Sequence, residues 1–267
     1  MEICIDNNAK CELFTSVFQN IRPFTEHVSI AFSSTGVYLQ TMDTARVSII
    51  ELNIPNTWFD KYEFSKTGDI VLGISVNIFF KILNAREKTQ TIQIIYNNDE
   101  KTGSNDILSL HFTSNDKTIF DKHFQCPLLD IESELMQIPE IEYAAEFSLP
   151  SSMFATLLHQ LKTFGDSLDI LCTEENIILS SNSTENGKMS VEIKIDDLSA
   201  FSINENEQIQ LSYSLTQLHN ISLFHKISKE VTIGLCDQYP MSIQYPFTED
   251  NSGCLRAYLA PKMSDDE

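Results

Sequence analysis

Leu13 to Asp43 reads LFTSVFQNIRPFTEHVSIAFSSTGVYLQTMD, and 140 residues further on Met153 to Ser183, MFATLLHQLKTFGDSLDILCTEENIILSSNS, lies on it without a gap. Phe14 falls on Phe154, Phe24 on Phe164, Ile30 on Ile170 and Leu39 on Leu179. The apolar pattern also survives in Leu13/Met153, Val17/Leu157, Phe18/Leu158, Ile21/Leu161, Val28/Leu168 and Val37/Ile177, and charges follow in Arg22/Lys162 and Glu26/Asp166. A long ungapped match of pattern means one structural unit used twice.

Inside the unit, positions 13, 14, 17, 18, 21 and 24 are apolar at the spacing that lines one face of a helix. Val28, Ile30 and Phe32 alternate with polar neighbours, a polar turn follows at Ser33 to Gly36, and Val37 to Gln40 opens a second strand. The unit therefore reads helix, strand, tight turn, strand.

Outward from it, strands are predicted at 3–5, 47–52 (broken at Pro55) and 70–72. A helix follows over 76–85, then a hairpin of 91–96 with 107–112 around a polar loop, 97–106. The second half repeats the order with helix 152–164, strands 168–172, 177–181, 189–195 and 209–213, helix 214–226, and strands 231–235 and 241–245. The residues from Asp121 to Glu140, with Pro127, Pro139 and a mixed acidic and apolar run, fit neither helix nor core strand and read as an extended surface connector. The expectation is an α+β chain of two similar domains, 1–120 and 141–267, each of antiparallel sheets with two helices on one face, joined by the connector 121–140. An acidic tail, Ser264 to Glu267, closes the chain.

No apolar run reaches the roughly 18 residues that span a bilayer, and Met1 to Lys10 lacks the basic start and apolar middle of a signal peptide. A soluble intracellular protein is expected. Six scattered cysteines form no CxxC pair and no Cys/His cluster, so free, mostly buried thiols are expected, with no metal and no cofactor. GxSxG, HExxH, GxxxxGK[ST] and GxGxxG are all absent, and the adjacent acids Asp196 and Asp197 sit in a polar turn, which argues against an enzyme.

Charge placement carries more. The chain holds 38 Asp and Glu and a net charge of −20, yet the segments 13–25, 74–86, 151–165 and 212–229 contain no acid, where an even spread would put about eight. They do contain Arg22, Lys81, Arg86, Lys162, Lys226 and Lys229, with His159, His219 and His225. Core-facing helices are short of charge of both signs, but here the polar positions Thr15, Gln19, Asn77, Asn84, Thr156, Gln160 and Gln217 also exclude carboxylates while cations are admitted. That pattern suits an anion-facing surface that holds a polyanion loosely inside an otherwise repulsive molecule. No cluster of Arg and Asn is present to read base edges.

Ser33-Ser34-Thr35-Gly36-Val37-Tyr38-Leu39-Gln40-Thr41-Met42-Asp43 resembles the characteristic segment of the proliferating cell nuclear antigen (PCNA) sliding clamps. Leu72-Gly73-Ile74 running into Lys81-Ile82-Leu83 is similar to the family's second helix region. Leu128-Leu129-Asp130-Ile131 with Ile138-Pro139-Glu140 resembles its interdomain connector, and Tyr258-Leu259-Ala260-Pro261-Lys262 its C-terminal signature. The resemblance implies the DNA clamp fold. It further implies three copies closed head to tail into a ring around double-stranded DNA, which tethers a polymerase and other replication and repair proteins. A clamp loader would open the ring, and the setting would be the nucleus or a viral replication site. The alternative is a subunit of a mixed ring, or a monomeric processivity partner.

Residue by residue, the resemblance implies DNA-facing positions at Arg22, Lys81, Asn84, Arg86, His159, Lys162, His219 and Lys226. It implies a pocket for partner peptides with aromatic anchors at Met42, Arg46, Ile49, Met136, Ile138, Pro240, Tyr258, Ala260 and Pro261. A subunit contact is expected in which Phe124 fills a space near Leu161 and Phe164, with the strand around 116–124 pairing with the neighbour's 177–183. The chain departs from the family where Arg46 replaces a common His and Ala257 the first of a frequent Tyr pair. Thr15, Ser16, Thr156 and Leu223 stand at often basic positions, and Glu174 replaces a lysine that some relatives modify.

Overall fold

The computed structural model describes residues 1–97, 107–131 and 135–262. The loop tip 98–106, the connector residues 132–134 and the acidic tail Ser264 to Glu267 lie outside the described residues.

The chain divides into two compact units. Unit 1 comprises Met1–Thr44, Glu51–Leu135 and Thr248–Gly253; unit 2 comprises Ala45–Ile50, Met136–Phe247 and Cys254–Glu267. The elements run β1 Glu2–Ile5, α1 Asn8–Ile21, β2 His27–Phe32, β3 Gly36–Met42, β4 Ser48–Pro55, β5 Lys61–Glu63, β6 Ile70–Ser75, α2 Val76–Leu83, β7 Thr91–Ile95, β8 Ile107–Thr113 and β9 Lys122–Leu129. They continue with β10 Ala145–Pro150, α3 Ser151–Leu161, β11 Ser167–Cys172, β12 Asn176–Ser183, β13 Gly187–Lys194, β14 Ala200–Ile203, β15 Ile209–Ser214, α4 Leu215–Ser222, β16 Glu230–Leu235, β17 Met241–Pro246 and β18 Cys254–Leu259.

In unit 1 the strand order is β4-β3-β2-β6-β9-β8-β7-β1-β5; in unit 2, β14-β10-β16-β17-β18 and a separate β13-β12-β11-β15. Neighbouring strands run antiparallel. The fold is thus the expected one, antiparallel sheets with two α-helices per unit.

The repeat holds at the level of single hydrogen bonds. α1 and α3 both stop 140 residues apart, at Ile21 and Leu161, and β2 and β11 share both ends under the same offset. The turn after the first helix is closed by Phe24 N to Ile21 O at 2.9 Å and, in unit 2, by Phe164 N to Leu161 O at 3.0 Å. The hairpin turns match as well: Ser33 N donates to Gly36 O at 2.9 Å and Thr173 N to Asn176 O at 3.0 Å. At Gly36, φ is +149° and a Cβ would overlap the Ile54 carbonyl oxygen, so only glycine fits.

α1 begins five residues earlier than the pattern suggests, because Asn7 caps it. Its Oδ1 accepts from Ala9 N at 2.9 Å and Lys10 N at 3.3 Å, capping two helix-end amides. Pro23 stands just past its C-terminus. The apolar faces of α1 and α2 meet in a cluster of Phe14, Phe18 and Phe79, whose ring centres lie 4.6 to 6.3 Å apart. Each is almost fully buried, which contributes about 1.5 to 3 kcal/mol per side chain. In unit 2, Phe154, Leu158, Leu161, Leu215, Leu218, Ile221 and Phe224 form the equivalent core.

Several expectations are corrected. Residues 122–129 are a full strand, β9, paired with β8 from Lys122 to Pro127 and with β6 at Leu128 and Leu129, so the segment without regular structure begins only at Asp130. Strand β4 runs to Pro55 rather than ending before it. The helix expected over 214–226 is α for eight residues and 3-10 for Leu223–Lys226. β5, β10, β14 and β18 have no counterpart among the strands expected from the sequence. All six cysteines are free. Among the described residues, no helix is long and apolar enough to cross a membrane.

Candidate nucleic-acid interface and partner surface

On unit 1, α1 and α2 present Arg22, Lys81 and Asn84 to solvent. The Arg22 guanidinium lies 4.2 Å over the Phe80 ring and its Nε donates to Gln19 O at 3.1 Å, which fixes the cation along the helix surface. Arg86, expected to join them, does not. Its Nη1 donates to the carbonyls of Glu87, Lys88 and Gln90 at 3.1, 3.0 and 2.8 Å, and its Nη2 to Asn8 Oδ1 at 3.1 Å. The guanidinium closes the turn after α2 and ties it to the start of α1, so its donors are spent inside the protein.

On unit 2, His159 is exposed and its ring centre lies 5.7 Å from that of half-buried His219, with Lys162 half-buried at the end of α3 and Lys226 exposed. His219 Nδ1 is buried without a hydrogen-bond partner. Burial, then Lys162, then His159 push its pKa below the ordinary histidine value. The ion pairs of the described residues are Lys10 with Asp60, Lys61 with Glu2 and Glu63, and Lys122 with Glu87; none takes Arg22, Lys81, Lys162 or Lys226.

The exclusion of acids has one exception once the helix bounds are known. α1 includes Glu12, which accepts from Asn8 Nδ2 at 2.9 Å at the helix N-terminus, where the macrodipole favours an anion. α2, α3 and α4 contain none.

Eight of the nine residues expected to form the peptide pocket belong to unit 2; Met42, half-buried, belongs to unit 1. In unit 2, Tyr258 stands opposite Ser242 and Leu259 opposite Met241, which sets Pro240 beside Ala260 at the end of the β17–β18 ladder. Ala260 N donates to Val47 O at 2.9 Å, bringing Arg46 and Ile49 to the same end. Ile49, Pro240, Tyr258, Ala260 and Pro261 are all half-buried, a surface neither solvated nor packed away. Val47 and Tyr239, 37% and 42% exposed, add apolar surface that the sequence reading missed. Met136 and Ile138 are half-buried on the irregular segment of the same unit, whose far end is seated by the Tyr143 ring lying on Gly234, where a Cβ would be 2.6 Å away. Ala257 faces the core at 0% exposure, so its departure from the family leaves this surface unchanged.

The expected subunit contact needs three corrections. Leu161 is fully buried in the core of its own unit and offers no surface, while Phe164 is half-buried. Phe124 is half-buried against Phe112 of its own unit, ring centres 5.3 Å apart. Residues 177–183 belong to β12, which is paired with β13 along its whole length and with β11 over Ile177–Ser180, so it is not an open edge. Among the described residues, β13 is an edge strand, as are β5, β14 and β15, and the Lys122–Pro127 side of β9 away from β8 is also open. Asp116 to Phe120 is a turn, held by Thr118 N to Asp116 Oδ1 at 2.9 Å, and Phe120 is 86% exposed.

Two units of antiparallel sheet, each carrying a pair of helices whose outer faces show unpaired cations and almost no acid, define the DNA clamp fold. The chain matches the family model of the proliferating cell nuclear antigen N-terminal domain over residues 6–135 and that of its C-terminal domain over residues 137–263. It belongs to the proliferating cell nuclear antigen family. It is 27% identical over 263 residues to the proliferating cell nuclear antigen of Caenorhabditis elegans, covering 97% of each chain. Proteins of this family are sliding clamps of DNA replication and repair that act as processivity factors without catalysis.

Proposed function

We propose that this chain closes with two further copies into a ring through which duplex DNA is threaded, and that the ring holds a DNA polymerase at its template. The observation that carries the reading is the outer surface of the helices: Arg22 and Lys81 on unit 1 and Lys162 and Lys226 on unit 2 lie outside every ion pair of the described residues, in a chain of net charge −20. Such cations meet phosphates as exchangeable partners, which permits sliding and ignores base sequence. Asn84, His159 and His219 supply further polar surface.

Copies join head to tail, with the open edge of β9 in one adding to β13 of the next, a heterologous contact that closes after three. Exposed Phe120 and half-buried Phe124 flank the β9 side, and Phe164 the other. Polymerase and other partners insert peptides with aromatic anchors beside Arg46, Ile49, Met136, Ile138, Pro240, Tyr258, Ala260 and Pro261. A clamp loader opens the ring, in the nucleus or at a viral replication site.

Light scattering across micromolar concentrations tests assembly: the expected mass is three times 30.4 kDa, and a monomer throughout would remove the homotrimer. Replacing Ile138 with Asp is expected to abolish peptide binding in calorimetry while leaving that mass unchanged; equal affinity of the two proteins moves the pocket elsewhere.

A further inference from the structure

His111 of β8 and His123 of β9 stand directly opposite each other in the antiparallel register of unit 1. Their ring centres are 4.5 Å apart and their planes cross at 81°. His123 is exposed and His111 half-buried, and neither ring makes a hydrogen bond or ion pair within the described protein. The positions beside them on the same face of the sheet, Gln93 opposite His111 and the pair Ser109 and Gln125 one step along, are uncharged oxygen-bearing side chains.

We propose that His111 and His123 form a two-imidazole chelate for a divalent transition-metal ion of the zinc and nickel class, with water in the remaining positions. Metal–nitrogen bonds of about 2.0 to 2.1 Å put an ion about 3.2 Å from each ring centre, so two rings on one ion have centres about 4.5 Å apart at a right angle and about 5.2 Å apart at the tetrahedral angle. The observed spacing of 4.5 Å equals the first, and rotation about the side-chain bonds turns a nitrogen of each ring toward the ion. Imidazole nitrogens suit this class of ion, whereas the flanking amide and hydroxyl oxygens suit the water shell. The second histidine pair is a poorer match: His159 and His219 have centres 5.7 Å apart, beyond both spacings, and a buried Nδ1 on His219. An ion on His111 and His123 staples β9 to β8, and so stiffens the strand whose other edge the proposed ring uses. The metal site stands without that reading, because both ligands belong to one unit of one chain.

Titration calorimetry of the untagged full chain with Ni2+ tests the inference, nickel being chosen because imidazole competes for it better than the half-buried thiols of Cys4 and Cys236 do. One saturable site per chain is expected, weakened roughly tenfold or more in His123→Gln and in His111→Gln, and unchanged in a His159→Gln/His219→Gln double variant. Ni2+ is also expected to broaden the imidazole NMR signals of His111 and His123 before those of the other histidines. No saturable binding in the wild type, or equal binding in His123→Gln, overturns the proposal. Because stoichiometry is read per chain, a monomeric protein that binds Ni2+ and loses it in His123→Gln keeps this site while removing the ring.

Discussion

At single residues, the fold is decided by groups whose surroundings leave no choice. Gly36 closes the first hairpin with φ at +149° and no room for a Cβ beside the Ile54 carbonyl, whereas Gly68, at φ +93°, has nothing within 4 Å. Gly36→Ala is therefore expected to lower unfolding stability by about 2 to 4 kcal/mol, a steric clash added to strain, and Gly68→Ala by only about 1 to 2 kcal/mol of strain. Urea denaturation of the two variants checks the order; equal midpoints would mean that the turn relaxes freely. His219 gives a pH signature. Its folded pKa lies below the unfolded value, near 6.5, so below that pH the unfolded chain binds more protons and stability falls as pH falls, until the folded pKa is passed. His219→Gln is expected to flatten the acid-side slope of stability between the two values. An unaltered slope in denaturation measured from pH 7 to pH 5 would show that His219 titrates normally.

At the scale of elements, the repeated helix–hairpin unit is legible because its apolar positions recur at a fixed offset, and the structure returns that offset in helix ends and turn hydrogen bonds. β9 is not legible: Pro127 and the alternation of His123, Gln125 and Pro127 with half-buried partners look like a connector, but a proline is tolerated at a strand edge that lacks a partner on that side. β5 and β14 are three and four residues long and carry no periodicity to detect. The candidate interface is legible as missing carboxylates, since charge exclusion survives in sequence. The loss of Arg86 from it is not, because its acceptors are backbone carbonyls whose positions depend on the turn after α2. Arg86→Ala is accordingly expected to cost about 1 to 3 kcal/mol of stability and to leave the salt dependence of DNA binding unchanged, whereas Lys81→Glu flattens it by about one phosphate contact. Placing Glu at Asn84 and Thr156 together is expected to reduce clamp-dependent processivity at moderate salt. Processive synthesis equal to wild type would take these helix faces out of the DNA path.

For the molecule as a whole, the way the chain is shared between its units limits how it can be divided. Ala45–Ile50 lies early in the sequence yet packs with unit 2, where Val47 O receives the amide of Ala260; Thr248–Gly253 lies late yet packs with unit 1, where Ser252 O accepts from Asn53 Nδ2 at 2.7 Å. A cut after Leu135 therefore yields two polypeptides, each missing a piece of the unit it mostly forms. Neither is expected to be a well-behaved autonomous domain, and each alone should show a broad, weakly cooperative melt. Co-expressed, they should reconstitute as a split protein with one sharp transition. Independent cooperative melting of the 1–135 fragment would show that the borrowed segments are dispensable.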